Sequence, residues 1–191
     1  MTRPEARAET DPWRAPVTVD HIPQTGLHRE IEASPREREA MAGLGGLREV
    51  LSAKASFDVT PMSGGRIHVA GRVRALVGQT CVVTLEPIES EIDEEVDLTF
   101  APEAEARQLA DLVEQGRDGK DGDDSEVPDP PEAVVNGIID LGRLATDALF
   151  LGVDPYPRKP GAVFEAEVTA PDPEDHPFAA LRALQDKPKR S

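Results

Sequence analysis

The sequence predicts an α+β fold, in which a mainly antiparallel sheet carries a few short helices. Between residues 47 and 102, apolar and polar residues alternate with a period of two, which is typical of consecutive strands. Capping signals mark two short helices outside that region, and an acidic stretch rich in Gly and Pro interrupts the chain near residue 120. We expect the strands to form a meander that could curl into a partly open barrel.

The domain organisation follows from length and composition. The chain has 191 residues, enough for one domain of ordinary size with tails. We expect a disordered N-terminal tail over residues 1–12 and a single α+β domain over 13–170. A flexible acidic insert should occupy about 114–131, because its Gly, Asp and Pro residues show no apolar spacing. The predicted C-terminal tail, 171–191, contains a short amphipathic segment.

Local signals predict where two helices begin. Ser34 is suited to an N-cap, with Pro35 at the first helical position and Glu37 completing a capping box, so we expect a helix over 35–43. Asp140 is predicted to cap a second helix. The predicted apolar face of this second helix consists of Leu141, Leu144, Ala148 and Leu151.

Two neighbouring strands are predicted to carry opposite charges on their solvent faces. In each strand one face is apolar and the other charged, because successive side chains point to opposite sides. If the strands pair in an antiparallel sheet, the two charged rows offset each other. The apolar face of the first strand is Ile67, Val69, Val73, Ala75 and Val77, and its basic row is Arg66, His68, Arg72 and Arg74. The acidic row of the second strand is Glu89, Glu91, Asp93, Glu95 and Asp97.

The net charge of −16 is unevenly distributed. Residues 86–132 contain 18 acidic residues and three basic ones, so the whole-chain charge says little about the remaining surface. The N-terminus has no signal-peptide pattern, and no run of eighteen apolar residues occurs. We therefore expect a soluble cytoplasmic protein without a membrane partner. A single cysteine cannot form an internal disulfide, which fits a reducing compartment.

Two features of the sequence could form a chemical centre, the lone cysteine and the acidic row. A nucleophilic Cys81 would need a general base and a lowered pKa, and the sequence indicates neither, so a buried structural cysteine is favoured. The acidic row lacks the spacing of a calcium loop, and "DGKDGDD" imitates that loop only loosely. We predict no catalytic residue, no metal and no cofactor. A small cytoplasmic enzyme using Cys81 as nucleophile is the alternative.

Charge leaves two kinds of partner open. The candidates for contact with an RNA backbone are Arg66, Arg72 and Arg74, although neither an RNP-type aromatic run nor a basic GxxG loop accompanies them. The acidic row suits a basic protein partner, because opposite charges speed encounter and disfavour wrong partners. Ribosomal proteins are the most abundant basic proteins in a bacterial cytoplasm.

Two stretches in a particular order resemble the YceD family, the large ribosomal RNA subunit accumulation proteins. They are "GQTCVVTLEPIESEIDEEVDLTF" and, after the acidic segment, "IIDLGRLATDALFLGVDPYPRKPG". The resemblance covers roughly residues 13–186 and includes the closing "HPFAALRALQ". It implies a non-enzymatic role in the assembly of the large ribosomal subunit and in the accumulation of its RNA. The partner would be large-subunit ribosomal RNA, its precursor or a basic ribosomal protein.

The chain departs from the family pattern at its cysteines. Many members carry Cys-x-x-Cys where this chain has "CVVT", and further cysteines near the segment that here reads "DPYPRKPG". This chain keeps Cys81, has Thr84 at the second position and has no cysteine in the later segment. A family-type metal site is therefore not expected.

Overall fold

A computed structural model of the chain describes residues 11–117 and 130–163. Within these ranges it contains three α-helices and seven strands. The predicted tails, apart from residues 11 and 12, and most of the acidic insert lie outside the described residues. The elements in chain order are β1 (Pro16–Thr18), β2 (Leu27–Glu32), α1 (Pro35–Gly45), β3 (Glu49–Pro61), β4 (Ile67–Thr80), β5 (Pro87–Pro102), α2 (Glu103–Arg117), β6 (Glu132–Val134), β7 (Ile138–Asp140) and α3 (Leu141–Leu151).

The strands form two sheets. The larger one has the order β2-β3-β4-β5-β6, and the smaller one pairs β1 with β7. Every strand contact is antiparallel except that of β5 with β6, which is parallel and limited to Phe100–Pro102 on β5. The predicted α+β class with a mainly antiparallel sheet is confirmed. Neither sheet closes, so the described chain forms no barrel.

The long central hairpins explain the predicted alternation. A turn over Ser63–Gly65 joins β3 to β4, and its Gly64 and Gly65 have φ of 76° and 73°, the left-handed region that favours glycine. Further along β4, Gly71 lies opposite Phe57. A Cβ atom at Gly71 would come within 2.4 Å of the Phe57 ring, so the glycine makes room for this core aromatic.

The predicted helix starts are confirmed. The Glu37 N–H donates to Ser34 Oγ (3.4 Å), and Glu37 Oε2 accepts from the Ser34 N–H (2.7 Å). Helix α1 ends two residues later than predicted, before Gly46 with φ of 63°. At α3, Asp140 Oδ1 accepts from the backbone N–H of Gly142 (3.1 Å).

The predicted apolar face of α3 is wrong at one position. Leu151 is 85% exposed, because it lies about 100° around the helix from the middle of the face that packs on the sheet. The helix instead buries residues at the i, i+4, i+7, i+8 spacing. These residues are Leu141, Ala145, Ala148 and Leu149.

The core lies on one face of the large sheet. All five residues predicted for the apolar face of β4 are buried there, together with Phe57, Ile92 and the inward residues of α1 and α3. Trp13 is 2% exposed and joins this core from the segment before β1. The opposite face of the sheet is termed the open face, because most of its side chains are exposed to solvent.

Candidate functional site

The open face brings the two predicted charged rows together. Arg72 lies opposite Glu95 and Arg74 opposite Asp93 in the antiparallel register of β4 and β5. All five residues of the acidic row are exposed. The predicted offset of the two rows across neighbouring strands is therefore confirmed.

Ion pairs connect the rows over the half of the hairpin farther from its turn. Arg74 Nε lies 3.3 Å from Asp93 Oδ2, and Arg72 Nε lies 3.5 Å from Asp93 Oδ1. Arg72 also contacts Glu95. The hydrogen bond to Glu95 and the negative charge of Asp93 raise the pKa of the Arg72 guanidinium. His68 Nε2 lies 2.9 Å from Asp97 Oδ1.

The third arginine candidate, Arg66, is also paired. Its Nε donates to Glu105 Oε1 in α2 at 3.0 Å. Each of the three candidate RNA-contacting arginines therefore already has a carboxylate partner within the protein. Their contact with RNA stays a prediction, because exposed ion pairs are worth only about 0–1 kcal/mol and can be exchanged.

The half of the acidic row nearer the turn is different. Glu89 lies opposite Gly78 and Glu91 opposite Leu76, neither of which carries a charge. Among the side chains that the structure describes, those of residues 11–113 and 130–163, no Lys, Arg or His nitrogen lies within 4.0 Å of either carboxylate. Glu49 lies on the other side of Gly78 and adds a third exposed carboxylate. Only the strand register shows that Glu49 belongs to this surface.

The charged surface continues across β2 and β3, which the sequence analysis did not include. His28 Nδ1 lies 2.7 Å from Asp58 Oδ1, and Lys54 Nζ lies 3.4 Å from Glu32 Oε1. The hydrogen bond to Asp58 raises the pKa of His28. Period-two alternation in "LHREIE" could have indicated the β2 residues, but their pairing depends on the register.

The apolar run in "TCVVTLEP" predicts a short strand that ends at Pro87, but this prediction is wrong, because Cys81 lies in the turn between β4 and β5. The turn begins at Cys81, whose N–H donates to Glu86 O (2.9 Å), and Leu85 takes a positive φ of 60° within it. The segment after α3 packs on the turn, since the Val82 N–H donates to Pro157 O (2.9 Å). Lys159 Nζ donates to Glu86 Oε2 (2.9 Å) at the same place.

The Cys81 thiol is fully buried and accepts two backbone hydrogen bonds. The donors are the N–H groups of Lys159 (3.3 Å) and Thr84 (3.4 Å). These hydrogen bonds, that of Lys159 foremost, lower the pKa of Cys81 from 9.0 to about 6. The lowered pKa is a chemical feature that the sequence analysis missed, because Lys159 is distant in sequence.

The described ranges, 11–117 and 130–163, contain no group of three or more His, Cys, Asp or Glu residues placed to hold a metal ion. No helix among them is long and apolar enough to cross a membrane.

The fold and the surface define an α+β protein that presents a charged, solvent-exposed sheet face. The family model for large ribosomal RNA subunit accumulation protein YceD matches residues 69–185, which is more than half of the chain, so the chain belongs to the YceD family. The family's name implies a role in the accumulation of large-subunit ribosomal RNA. No curated protein and no solved structure matches the chain.

Proposed function

We propose that the protein is a non-enzymatic, cytoplasmic factor that supports large ribosomal subunit assembly by binding a basic ribosomal protein on its open face. Family membership supports the link to large-subunit RNA. The choice of a protein partner over RNA rests on the charge balance of the open face.

The observation that carries this choice is the pairing of the β4 cations. Over β4 and β5 the open face presents the five carboxylates of the acidic row against two guanidinium groups, those of Arg72 and Arg74. Both guanidinium groups are held by carboxylates on β5. The surface thus offers surplus negative charge, which attracts a cationic partner and repels a phosphate backbone.

The experiment is complementation of cells in which the gene is deleted, with the ratio of large- to small-subunit RNA as the readout. The test variant changes all five residues of the acidic row to the corresponding amides. The control variant makes the same change of five charges on exposed residues outside the large sheet, namely Asp20, Glu39, Glu103, Asp111 and Asp147.

The proposal predicts a low ratio with the test variant and a normal ratio with the control variant. Both proteins should be folded to the same extent by circular dichroism, because all the changed residues are exposed. A normal ratio with the test variant would refute the proposed role of the open face. Replacement of Arg66, Arg72 and Arg74 by Ala should leave the ratio normal, whereas a direct RNA contact would require it to fall.

A small enzyme using Cys81 is the second candidate, because a thiol with a pKa of about 6 is largely thiolate at neutral pH. Burial opposes this function, since the side chain is 0% exposed and its two hydrogen-bond donors are backbone groups. We therefore expect slow native-state alkylation of Cys81 by iodoacetamide at pH 7, with fast reaction only after unfolding. Fast native labelling, with loss of the complementing activity in a Cys81→Ser variant, would favour the enzyme.

A further inference from the structure

Strand β5 presents a long edge with unpaired backbone groups. It pairs with β4 from Pro87 to Phe100 but with β6 only over Phe100–Pro102. Within the described residues, no other backbone hydrogen bond involves residues 89–97. Such an edge can accept an additional strand.

The hydrogen-bond pattern shows which residues face this edge. In an antiparallel pair, opposed residues alternate between bonded and non-bonded pairs. At the turn the Cys81 N–H donates to the O of Glu86, which lies directly opposite in the register that continues along the hairpin. The even-numbered residues of β5 therefore bond β4, and the odd-numbered ones point their N–H and C=O away from it. Pro87 fits this assignment, because it has no N–H to give to β4.

The residues whose N–H and C=O face this edge, without a backbone partner among the described residues, are therefore those of the acidic row. From Glu89 to Asp97, every second residue places its backbone N–H and C=O at the edge and its carboxylate on the open face. A strand added here would lie directly beside five negative charges. A second copy of this strand would bring like charges together, which disfavours self-pairing.

The neighbouring surface adds an apolar contact beside the same edge. Gly152 packs so closely on Ile92 and Glu94 that a Cβ atom would come within 2.7 Å of either side chain. Leu151, which precedes it, is 85% exposed although it is a large apolar residue. An added strand would lie near Leu151 and the Glu94 side chain on its inner side and beside the acidic row on its outer side.

We propose that the β5 edge from Glu89 to Asp97 binds an extended segment of the partner, with Lys or Arg at every second position, as an additional strand of the sheet. This inference rests on the proposed function and specifies how the basic partner is held. The segment would be about nine residues long, matching the length of the edge. Its basic side chains would lie over the acidic row, and the intervening residues would lie near Leu151.

The first test uses a synthetic peptide of five Lys-Val repeats and two N-methylated forms of it. In one form the five lysines are N-methylated and in the other the five valines, so charge and composition match. Binding to the full chain is measured by fluorescence anisotropy. Pairing with the edge predicts that one form loses at least about tenfold in affinity and the other binds like the parent, because only one set of N–H groups faces β5. Equal binding by the two forms would overturn the inference.

The second test uses a matched pair of protein variants, Glu91→Pro and Glu91→Ala. Both remove the same charge, but only proline removes the edge-facing N–H and obstructs an added strand. The ladder with β4 does not use this N–H, so both variants should fold, as checked by circular dichroism. We expect the parent peptide to bind the Pro variant at least about fivefold more weakly than the Ala variant.

The two tests separate this inference from the proposed function. If the Pro and Ala variants bind the peptide equally, the edge pairing is refuted, while complementation can still depend on the acidic row. If sedimentation shows that the chain dimerises and the Pro variant does not, the edge serves a second copy and the inference is also overturned.

Discussion

The two halves of the β4–β5 hairpin carry similar carboxylates in different surroundings. In the half farther from the turn, Asp93 and Glu95 lie opposite arginines and form ion pairs with them. In the half nearer the turn, Glu89 and Glu91 lie opposite Gly78 and Leu76. The same acidic row is thus paired with arginines at one end and, among the side chains that the structure describes, has no cation within 4.0 Å at the other.

This difference indicates that the carboxylates in ion pairs stabilise the hairpin, whereas the other two are available to a binding partner. Carboxylates that already form ion pairs help to hold the two strands together. A binding partner must displace the arginines from these carboxylates to reach them. Carboxylates without a nearby cation lose no such pair when a partner binds. We therefore expect partner affinity to concentrate near the turn.

The largest effect is expected from the half of the row nearer the turn. Glu89→Gln with Glu91→Gln should weaken binding of a basic protein partner about tenfold, since two uncompensated charges disappear. Asp93→Asn with Glu95→Gln makes the same charge change and should weaken it by less than about threefold. Calorimetry at low salt would measure the affinity of each double variant for the partner. Equal losses of affinity in the two double variants would show that the ion pairs do not reduce the contribution of Asp93 and Glu95 to partner binding.

The next largest expected effect is an increase in partner affinity. Arg72→Gln with Arg74→Gln releases Asp93 and Glu95 from their ion pairs, so a basic partner should bind about threefold more tightly. The gain should shrink with added salt, because exposed charges are screened. Weaker binding of large-subunit RNA by the same variant, with no gain for a protein partner, would instead favour direct RNA contact.

A pH effect is expected at the turn end. Folding lowers the pKa of Cys81 from 9.0 to about 6, so its contribution to stability is fully present above pH 9 and disappears as the pH falls through about 6. The difference in unfolding free energy between the native chain and Cys81→Ala should therefore increase from pH 6 to pH 9. Urea titrations across this range measure it. A difference independent of pH would contradict the stabilised thiolate.

The smallest effect concerns the ion pairs themselves. A double-mutant cycle on Arg74 and Asp93, with Ala at each position, should give a coupling free energy below about 1 kcal/mol, because both side chains are largely exposed. Urea unfolding at low and high salt would measure the coupling. A value of several kcal/mol would mean that these pairs hold the hairpin together.

Period-two alternation predicted both charged rows and the buried face of β4, because side-chain direction in a strand depends only on local geometry. Capping rules likewise predicted where α1 and α3 begin. These features are encoded within a few residues of each other.

Features that depend on long-range register were not predictable in this way. The sequence did not reveal that Glu49 lies across Gly78 from Glu89, or that the Lys159 N–H reaches Cys81, because these arrangements join distant parts of the chain. The exposure of Leu151 was missed because its helical position lies beside the buried face rather than on it. Register and helix orientation are decided by the whole core.

The most direct test of the central claim is capture of ribosomal proteins by the tagged chain from a cytoplasmic extract treated with ribonuclease at low salt. The account predicts that a basic large-subunit protein stays bound after RNA is removed, and that it is lost from the Glu89→Gln, Glu91→Gln variant. Complete loss of large-subunit protein on ribonuclease treatment of the native chain would contradict the account, because the association would then depend on RNA.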